Sequence, residues 1–394
     1  MQLTIEQEEA LKIILSKYKN NEKYVVVAGY AGTGKSTLVR FAIEALDVAR
    51  DKVAYACYTG KAAEVLRKKG NPNAMTLHKL LYESFPRPGG GFYRKPKLLL
   101  DYNIVVVDEC SMVPKTMVDL LLSHKVFVIF LGDPFQLDVI DKNERQDLLI
   151  RPNIFLTKVM RQAEESEIIR LTMKIRNKEE IDFSKGNEVI VIPKAELNTG
   201  HLQWADQVIC ATNSTRISLN NQMRALYGFG GLPQNGEKFL CLRNYWEDLS
   251  DDGEAALVNG MTGIIKNPFE TYIMAPPYVQ MKKHKMDIIN CSFETEEGEV
   301  FSSVDMDKVM VETGSPCLDW RDSYALGKLR PKIGDIIPRQ FTYGYAITGH
   351  KAQGCEFDKV LVIEESFPFD KLEHARWLYT CCTRSSEKLV LVRE

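Results

Sequence analysis

Short, unbroken apolar runs alternate with amphipathic stretches through about the first 160 positions of the chain. The runs Tyr24–Ala28, Val53–Cys57, Ile104–Val107 and Val126–Leu131 are rich in β-branched residues, as in strands covered on both faces. Between them, Glu6–Tyr18, Ser36–Leu46, Lys61–Lys69 and Lys115–Leu122 place apolar residues at helical spacing. This order predicts a doubly wound α/β sheet with ligands at the carboxyl ends of its strands. A second β/α region begins near Arg161, with strand Gln207–Ala211, helix Arg216–Leu226 and strands Lys359–Ile363 and Lys388–Val392. From Pro233 to Asp335 the pattern becomes short β-like runs with turn signals at Asn259-Gly260, Glu297-Gly298 and Thr313-Gly314. It predicts a β module inserted into the second α/β region. Another break falls at Phe85–Pro96, where three glycines lie between proline-bearing arms. That composition fits an exposed hairpin and an unstructured loop equally.

Composition narrows the class. With 394 residues, 45% of them hydrophobic, the chain can build two or three domains with proper cores. Nine cysteines are scattered singly apart from Cys381-Cys382, and no C-x-x-C pair suggests zinc. The odd count and spacing imply a reducing compartment. Neither a leader-like start nor an apolar run of membrane-spanning length is present, so the expectation is a soluble, cytoplasmic protein with no membrane partner. A net charge of −2 argues against a passive nucleic-acid coat, but it leaves room for a narrow basic track.

The run Val25–Ala28 ends in Gly29-Tyr30-Ala31-Gly32-Thr33-Gly34-Lys35-Ser36, and Thr37 continues into a helical stretch. This is G-x-x-x-x-G-K-S in strand-to-helix context. Its glycines let backbone N–H groups wrap phosphates, Lys35 neutralises the β/γ oxygens, and the Ser36 hydroxyl can ligate Mg²⁺. ATP with Mg²⁺ is the expected ligand pair. The next apolar strand ends in Asp108-Glu109, one carboxylate for the Mg²⁺ shell and one to deprotonate an attacking water. After the following strand comes Gly132-Asp133-Pro134-Phe135-Gln136-Leu137, where the Gln136 amide can sense a γ-phosphate or occupy a surface turn.

Gly29–Ser36, Asp108–Met112 and Gly132–Leu137 resemble motifs I, II and III of the superfamily-one helicases. Tyr345–Phe357 resembles motif V, and Leu378-Tyr379-Thr380-Cys381-Cys382-Thr383-Arg384 resembles motif VI. The RecD-like branch is the most similar. The resemblance runs in order along nearly the whole chain and is thinnest from Pro233 to Asp335.

This resemblance implies two RecA-like P-loop NTPase domains, the first over residues 1–158 and the second over 159–232 and 336–394. An SH3-like β insertion would occupy 233–335, with Leu257–Gly263 resembling an N-G-x-x-G turn. Gln7 would read the adenine edge, Arg161 and Arg384 would reach the γ-phosphate as arginine fingers, and Glu356 would lie near the nucleotide sugar. Thr59, Lys61, Thr76, His78, Thr212, Asn213, Thr348, His350 and Lys351 would grip the phosphates of single-stranded DNA without reading sequence. Residues 85–96 would form a separation pin carrying Phe92 and Tyr93. The implied activity is ATP-driven 5′→3′ translocation with unwinding of forked DNA, by a monomer, alongside replication or recombination proteins. An ATP-gated nucleic-acid switch that does not unwind and an RNA-directed helicase are the rival readings.

Overall fold

The structure, a computed structural model, describes residues 3–86, 92–139, 141–160, 165–253, 255–296, 298–333, 336–368 and 370–394. The chain opens with helix α1 (Ile5–Lys19), started by a capping box. Thr4 Oγ1 accepts the Gln7 N–H, and the Gln7 side chain accepts the Thr4 N–H. Then follow β1 (Tyr24–Gly29), α2 (Lys35–Leu46), β2 (Val53–Cys57), α3 (Gly60–Lys68), β3 (Met75–Thr76) and α4 (Leu77–Leu81). A two-stranded ribbon, β4 (Tyr82–Pro86) with β5 (Phe92–Pro96), precedes β6 (Ile104–Val107), α5 (Lys115–Leu122), β7 (Phe127–Gly132) and β8 (Ile154–Leu156).

Strands β3-β2-β6-β7-β1-β8 lie side by side in that order, with every pair parallel. Period-two alternation divides their side chains between two cores. Val26, Val105, Val107, Val128 and Phe130 pack with Leu77, Leu80, Leu81, Met117 and Leu121. On the other face, Val25, Val27, Ile104, Val106, Ile129 and Leu131 pack with Ala10, Ile14, Leu38, Val39 and Ala42. Burial on both faces is why these strands read as unbroken apolar runs. Element ends differ from the expected ones by about a residue, as at β7, which starts at Phe127 and not at Val126.

The chain continues through α6 (Glu167–Asn177), β9 (Ser184–Lys185), β10 (Val189–Pro193), α7 (Thr199–Trp204) and β11 (Gln207–Cys210). Next are α8 (Asn213–Leu226), β12 (Lys238–Cys241), β13 (Tyr245–Leu249), β14 (Ala256–Leu257), β15 (Thr262–Met274), β16 (Lys285–Thr295) and β17 (Val300–Asp307). Helices α9 (Lys308–Thr313) and α10 (Trp320–Ile333) precede β18 (Phe341–Tyr343) and β19 (Ala346–Thr348). Helix α11 (Gly349–Ala352), β20 (Phe357–Ile363), α12 (Lys371–Cys382) and β21 (Ser385–Arg393) complete the chain.

Two compact units result. The first comprises residues 1–82, 96–211 and 349–394. Besides the sheet above, it contains the order β11-β20-β21-β10-β9, parallel except for β9. The second unit comprises residues 83–95 and 212–348. Its antiparallel sheet runs β17-β16-β15-β12-β18. Here the Arg224 guanidinium bonds the fully buried Glu237 carboxylate, at 2.5 and 3.1 Å, and stacks over the Tyr343 ring.

The insertion departs from its expected form in three ways. Its strands are long, with β15 spanning 13 residues and β16 spanning 11. Asn267, in the left-handed region at φ 51°, and Pro268 sit at a register shift between Lys266 and Phe269. That bulge splits the alternation, so one strand reads as two short runs. Thr313-Gly314 is the end of helix α9, capped by Gly314 at φ 76°, and not a β-turn. Helix α10 is an element that the sequence pattern did not predict. Leu326 and Leu329 on it, with Leu318 before it, pack against Ile273 and Met286 of the long hairpin.

Candidate nucleotide-binding site

Strand β1 delivers the loop Gly29–Gly34 to the start of α2. Gly32 and Gly34 take φ values of 76° and 78°, a left-handed turn that glycine enters without strain. A Cβ on Gly34 would also lie 2.5 Å from Gln7 Nε2. No side chain caps the first turn of α2, and uncapped amides at a helix start suit an anion. Lys35 Nζ arches back over the loop, donating to Gly29 O at 2.7 Å and Tyr30 O at 3.1 Å.

Ser36, Thr37, Asp108, Glu109, Glu356 and Arg384 line one cavity of about 420 Å³. Burial and the neighbouring Glu109 raise Asp108 to about 6, while Lys35 pulls it down. One Asp108 oxygen accepts the Glu109 N–H at 2.8 Å. Glu109 itself holds φ 50°, left-handed for a residue with a side chain. With its nitrogen toward Glu109 and its oxygen toward Arg384, the Gln136 amide donates to Glu109 Oε2 at 2.8 Å and accepts from Arg384 Nη2 at 3.1 Å. Arg384 Nη1 lies 3.8 Å from Glu109 Oε1. Thr380 O and Cys355 O accept from the same guanidinium at 3.0 and 3.3 Å, fixing its fork inside the protein.

Lys69 and Glu356 form an ion pair of 2.6 Å on the cavity wall. Gln7 is buried, and its amide spans two elements by accepting from Thr4 N and donating to Thr33 O at 3.2 Å. It therefore braces the loop from α1. Arg161 lies outside the described residues.

Several side chains in this site carry no sequence signal of their role. Tyr379 on α12 donates its hydroxyl to Asp133 Oδ2 at 2.6 Å and accepts the Ala31 N–H at 2.9 Å. Thr380 Oγ1 accepts the Leu137 N–H at 3.1 Å, and Gln353 donates to Leu137 O at 2.7 Å. Arg176 of α6 stacks over the Tyr30 ring at 3.7 Å. Tyr379 and Thr380 stand inside a motif legible in the sequence, but their partners are long-range.

The strand-end residues have structural duties as well. Thr59, Thr76 and Thr212 each cap a helix by accepting an N–H from Ala62, Lys79 and Thr215. The Thr212 hydroxyl in turn donates its proton to Thr215 Oγ1 at 2.9 Å. Lys61 lies in α3, and His78 in α4 stacks on Tyr82 at 6.0 Å with the tilted Tyr58 ring at 5.8 Å. Within the second unit, Asn213 starts α8 and Thr348 ends β19. His350 and Lys351 lie in α11, and burial lowers the His350 pKa. Phe92 and Tyr93 begin β5. Residues 87–91 of that ribbon lie outside the described residues.

Residues 2–191 match the AAA domain family, and residues 343–392 match the UvrD-like helicase C-terminal domain. A mimivirus protein, R530 of Acanthamoeba polyphaga mimivirus, is 24% identical over 98% of both chains. The ATP-dependent DNA helicase dda of Enterobacteria phage T4 is 29% identical over 43% of this chain and 39% of its own. The ATP-dependent RecD2 DNA helicase of Deinococcus radiodurans is 32% identical over 38% of this chain and 21% of its own. The match to these helicases thus spans well under half of their length. Among solved structures, the Pif1 helicase of Bacteroides in complex with ADP-AlF3 and ssDNA shares the fold, with a TM-score of 0.52, 19% identity and coverage of 99% and 92%. Through both matched segments the chain is similar to the superfamily-one helicases of the RecD-like branch. Its two mostly parallel α/β sheets are of the RecA-like kind on which ATP-hydrolysing enzymes are built.

Proposed function

We propose that this chain is an ATP-dependent DNA helicase that moves 5′→3′ on single-stranded DNA and unwinds forked duplex. The observation that carries the reading is the convergence of Glu109, Gln136 and Arg384 on one cavity wall with Ser36 and Asp108. A nucleotide switch without turnover has no need of a base, a sensor and a cation brought together. Lys35 and the α2 amides hold the phosphates. Glu109 orients and deprotonates the attacking water, and Arg384 meets charge that develops at the transferred phosphoryl group. Ser36 and Asp108 fit a Mg²⁺ ion, which would supply charge neutralisation at the phosphate oxygens. Gln7, whose amide bonds Thr4 N, Thr33 O and Met160 Sδ, would reach an adenine edge by exchanging its weak Met160 contact or by using the second lone pair of Oε1. We assign Arg161 the second arginine-finger role, and Glu356 a place at the sugar.

Thr59, Lys61, Thr76, His78, Thr212, Asn213, Thr348, His350 and Lys351 are the proposed strand grips. The capping threonines Thr59 and Thr76 support this, because a hydroxyl that accepts a helix N–H can still donate its proton to a phosphate. Pif1 helicases of the same fold unwind DNA at forked dsDNA, which favours DNA as the polymer. The deciding experiment is strand displacement on forked duplexes with a 5′ or a 3′ single-stranded tail, together with Lys35→Ala. Unwinding only with a 5′ tail, lost in Lys35→Ala, is expected. ATP turnover stimulated by RNA and not by DNA would overturn the DNA reading, and wild-type turnover in Lys35→Ala would overturn the ATPase assignment.

A further inference from the structure

Tyr379 has a position that neither cavity chemistry nor strand grip explains. Its side chain is 1% exposed, and its hydroxyl is the meeting point of three segments far apart in sequence. The proton goes to Asp133 Oδ2 at 2.6 Å, while the oxygen accepts the Ala31 N–H at 2.9 Å. Asp133 is itself 1% exposed and uses its other oxygen on the Phe135 N–H at 2.9 Å, so its orientation is fixed. The carboxylate therefore aims the hydroxyl oxygen at a P-loop amide. That oxygen is a hydrogen-bond acceptor where the loop otherwise presents N–H groups to phosphate oxygens.

The same stretch of α12 carries more ties to the segment after β7. Thr380 accepts from Leu137 N, and Arg376 pairs with Asp138 at 3.3 Å. Two residues past the helix end stands Arg384, touching Gln136 and Glu109. A shift of Tyr379 along its axis thus shifts the cation that faces the reaction.

We propose that Tyr379 is a positioning residue acting as a nucleotide-gated strut. Its hydroxyl holds the Ala31 amide until a phosphate oxygen of the nucleoside triphosphate takes that amide, and its release from the loop re-seats α12 and Arg384. No covalent step is involved; one acceptor replaces another on one N–H. The proposal rests on the nucleotide-binding reading of the P-loop.

The test compares the wild type with Tyr379→Phe, which keeps the ring and its edge contact with Phe135 at 5.3 Å and removes only the oxygen. Without the competing acceptor, the Kd for the non-hydrolysable analogue AMP-PNP should fall by about 2–10-fold, the value of one net hydrogen bond. In steady state, KM for ATP should fall while kcat also falls, because Arg384 loses its tie to the loop. A merely structural tyrosine would instead weaken binding or leave it unchanged. If Tyr379→Phe does not fold, Asp133→Asn replaces it. This variant keeps the volume, weakens the charge-assisted bond that aims the hydroxyl, and should tighten AMP-PNP binding by a smaller factor. Equal or weaker AMP-PNP binding in whichever variant folds overturns the strut. Failure of the wild type to bind AMP-PNP at all overturns the nucleotide reading with it.

Discussion

Arg384 Nη1 stands 3.8 Å from Glu109 Oε1, and the Gln136 amide bridges the same two side chains. A carboxylate and a guanidinium are thus held beside one another at the end of β6. The relationship separates their roles. Glu109→Gln keeps the shape and the Gln136 contact but removes the base. Turnover of ATP should fall at least about 10²-fold, with nucleotide affinity near that of the wild type. Single-turnover hydrolysis and a binding titration check this. Equal loss of both quantities would make Glu109 structural.

Arg384→Ala should reduce DNA-stimulated kcat by about 10³-fold or more while changing ATP affinity far less, since its charge matters most in the transition state. Arg384→Lys should rescue little. A lysine has no planar fork to reach Thr380 O, Cys355 O and Gln136 together. Parallel measurement of kcat and Kd for both variants is the check.

The Arg224–Glu237 pair predicts a stability effect confined to the second unit's own packing. Glu237→Ala strands a largely buried guanidinium and should cost about 3–5 kcal/mol. Denaturant midpoints followed by hydrogen exchange of β12 and β18 amides would report it. A loss below about 1 kcal/mol would mean that water reaches Arg224 freely.

His350 supplies a pH dependence. Burial holds its folded pKa below the ordinary histidine value of 6.5, so the unfolded chain binds the proton more readily. Its contribution to stability is complete above about pH 6.5 and is lost as the pH falls through the interval below. The difference in unfolding free energy between the wild type and His350→Gln should therefore shrink between pH 7 and pH 5. A difference that stays flat or grows on acidification would contradict the assignment.

Phe92 and Tyr93 begin one strand of the β4–β5 ribbon. Replacing both with Ala should slow the unwinding of a forked substrate yet leave single-strand-stimulated ATPase near normal, because stacking at a fork is separate from grip and hydrolysis. Unchanged unwinding would reduce residues 85–96 to a connector.

The P-loop and Asp108-Glu109 are legible in the sequence because each is local, a strand end followed within a few residues by its chemistry. The sheet cores are legible for the same reason, since strands buried on both faces cannot hide their apolar runs. Tyr379 is not, because its meaning lies in Ala31 and Asp133, hundreds of positions away. Gln7 gives a partial case. Its capping-box spacing to Thr4 is local, but its bond to Thr33 O is not. Helix α10 escapes because its apolar face is matched to the far half of a hairpin that a proline-marked bulge disguises.

The strand order β11-β20-β21-β10-β9 has a consequence for how the chain reaches its fold. Strand β10 finds its main partner only in β21, after residues 212–348 of the second unit have intervened. The sheet containing β1 has all its strands by Leu156 and can close early, from contacts of modest sequence separation. The other must wait as a partial sheet, with Val189–Pro193 flanked only by the two residues of β9. Its loop-closure entropy is larger and its edge is open meanwhile, so this half is the slow and aggregation-exposed step of folding. A newly made molecule therefore owns a finished phosphate loop well before it owns the arginine that completes the site.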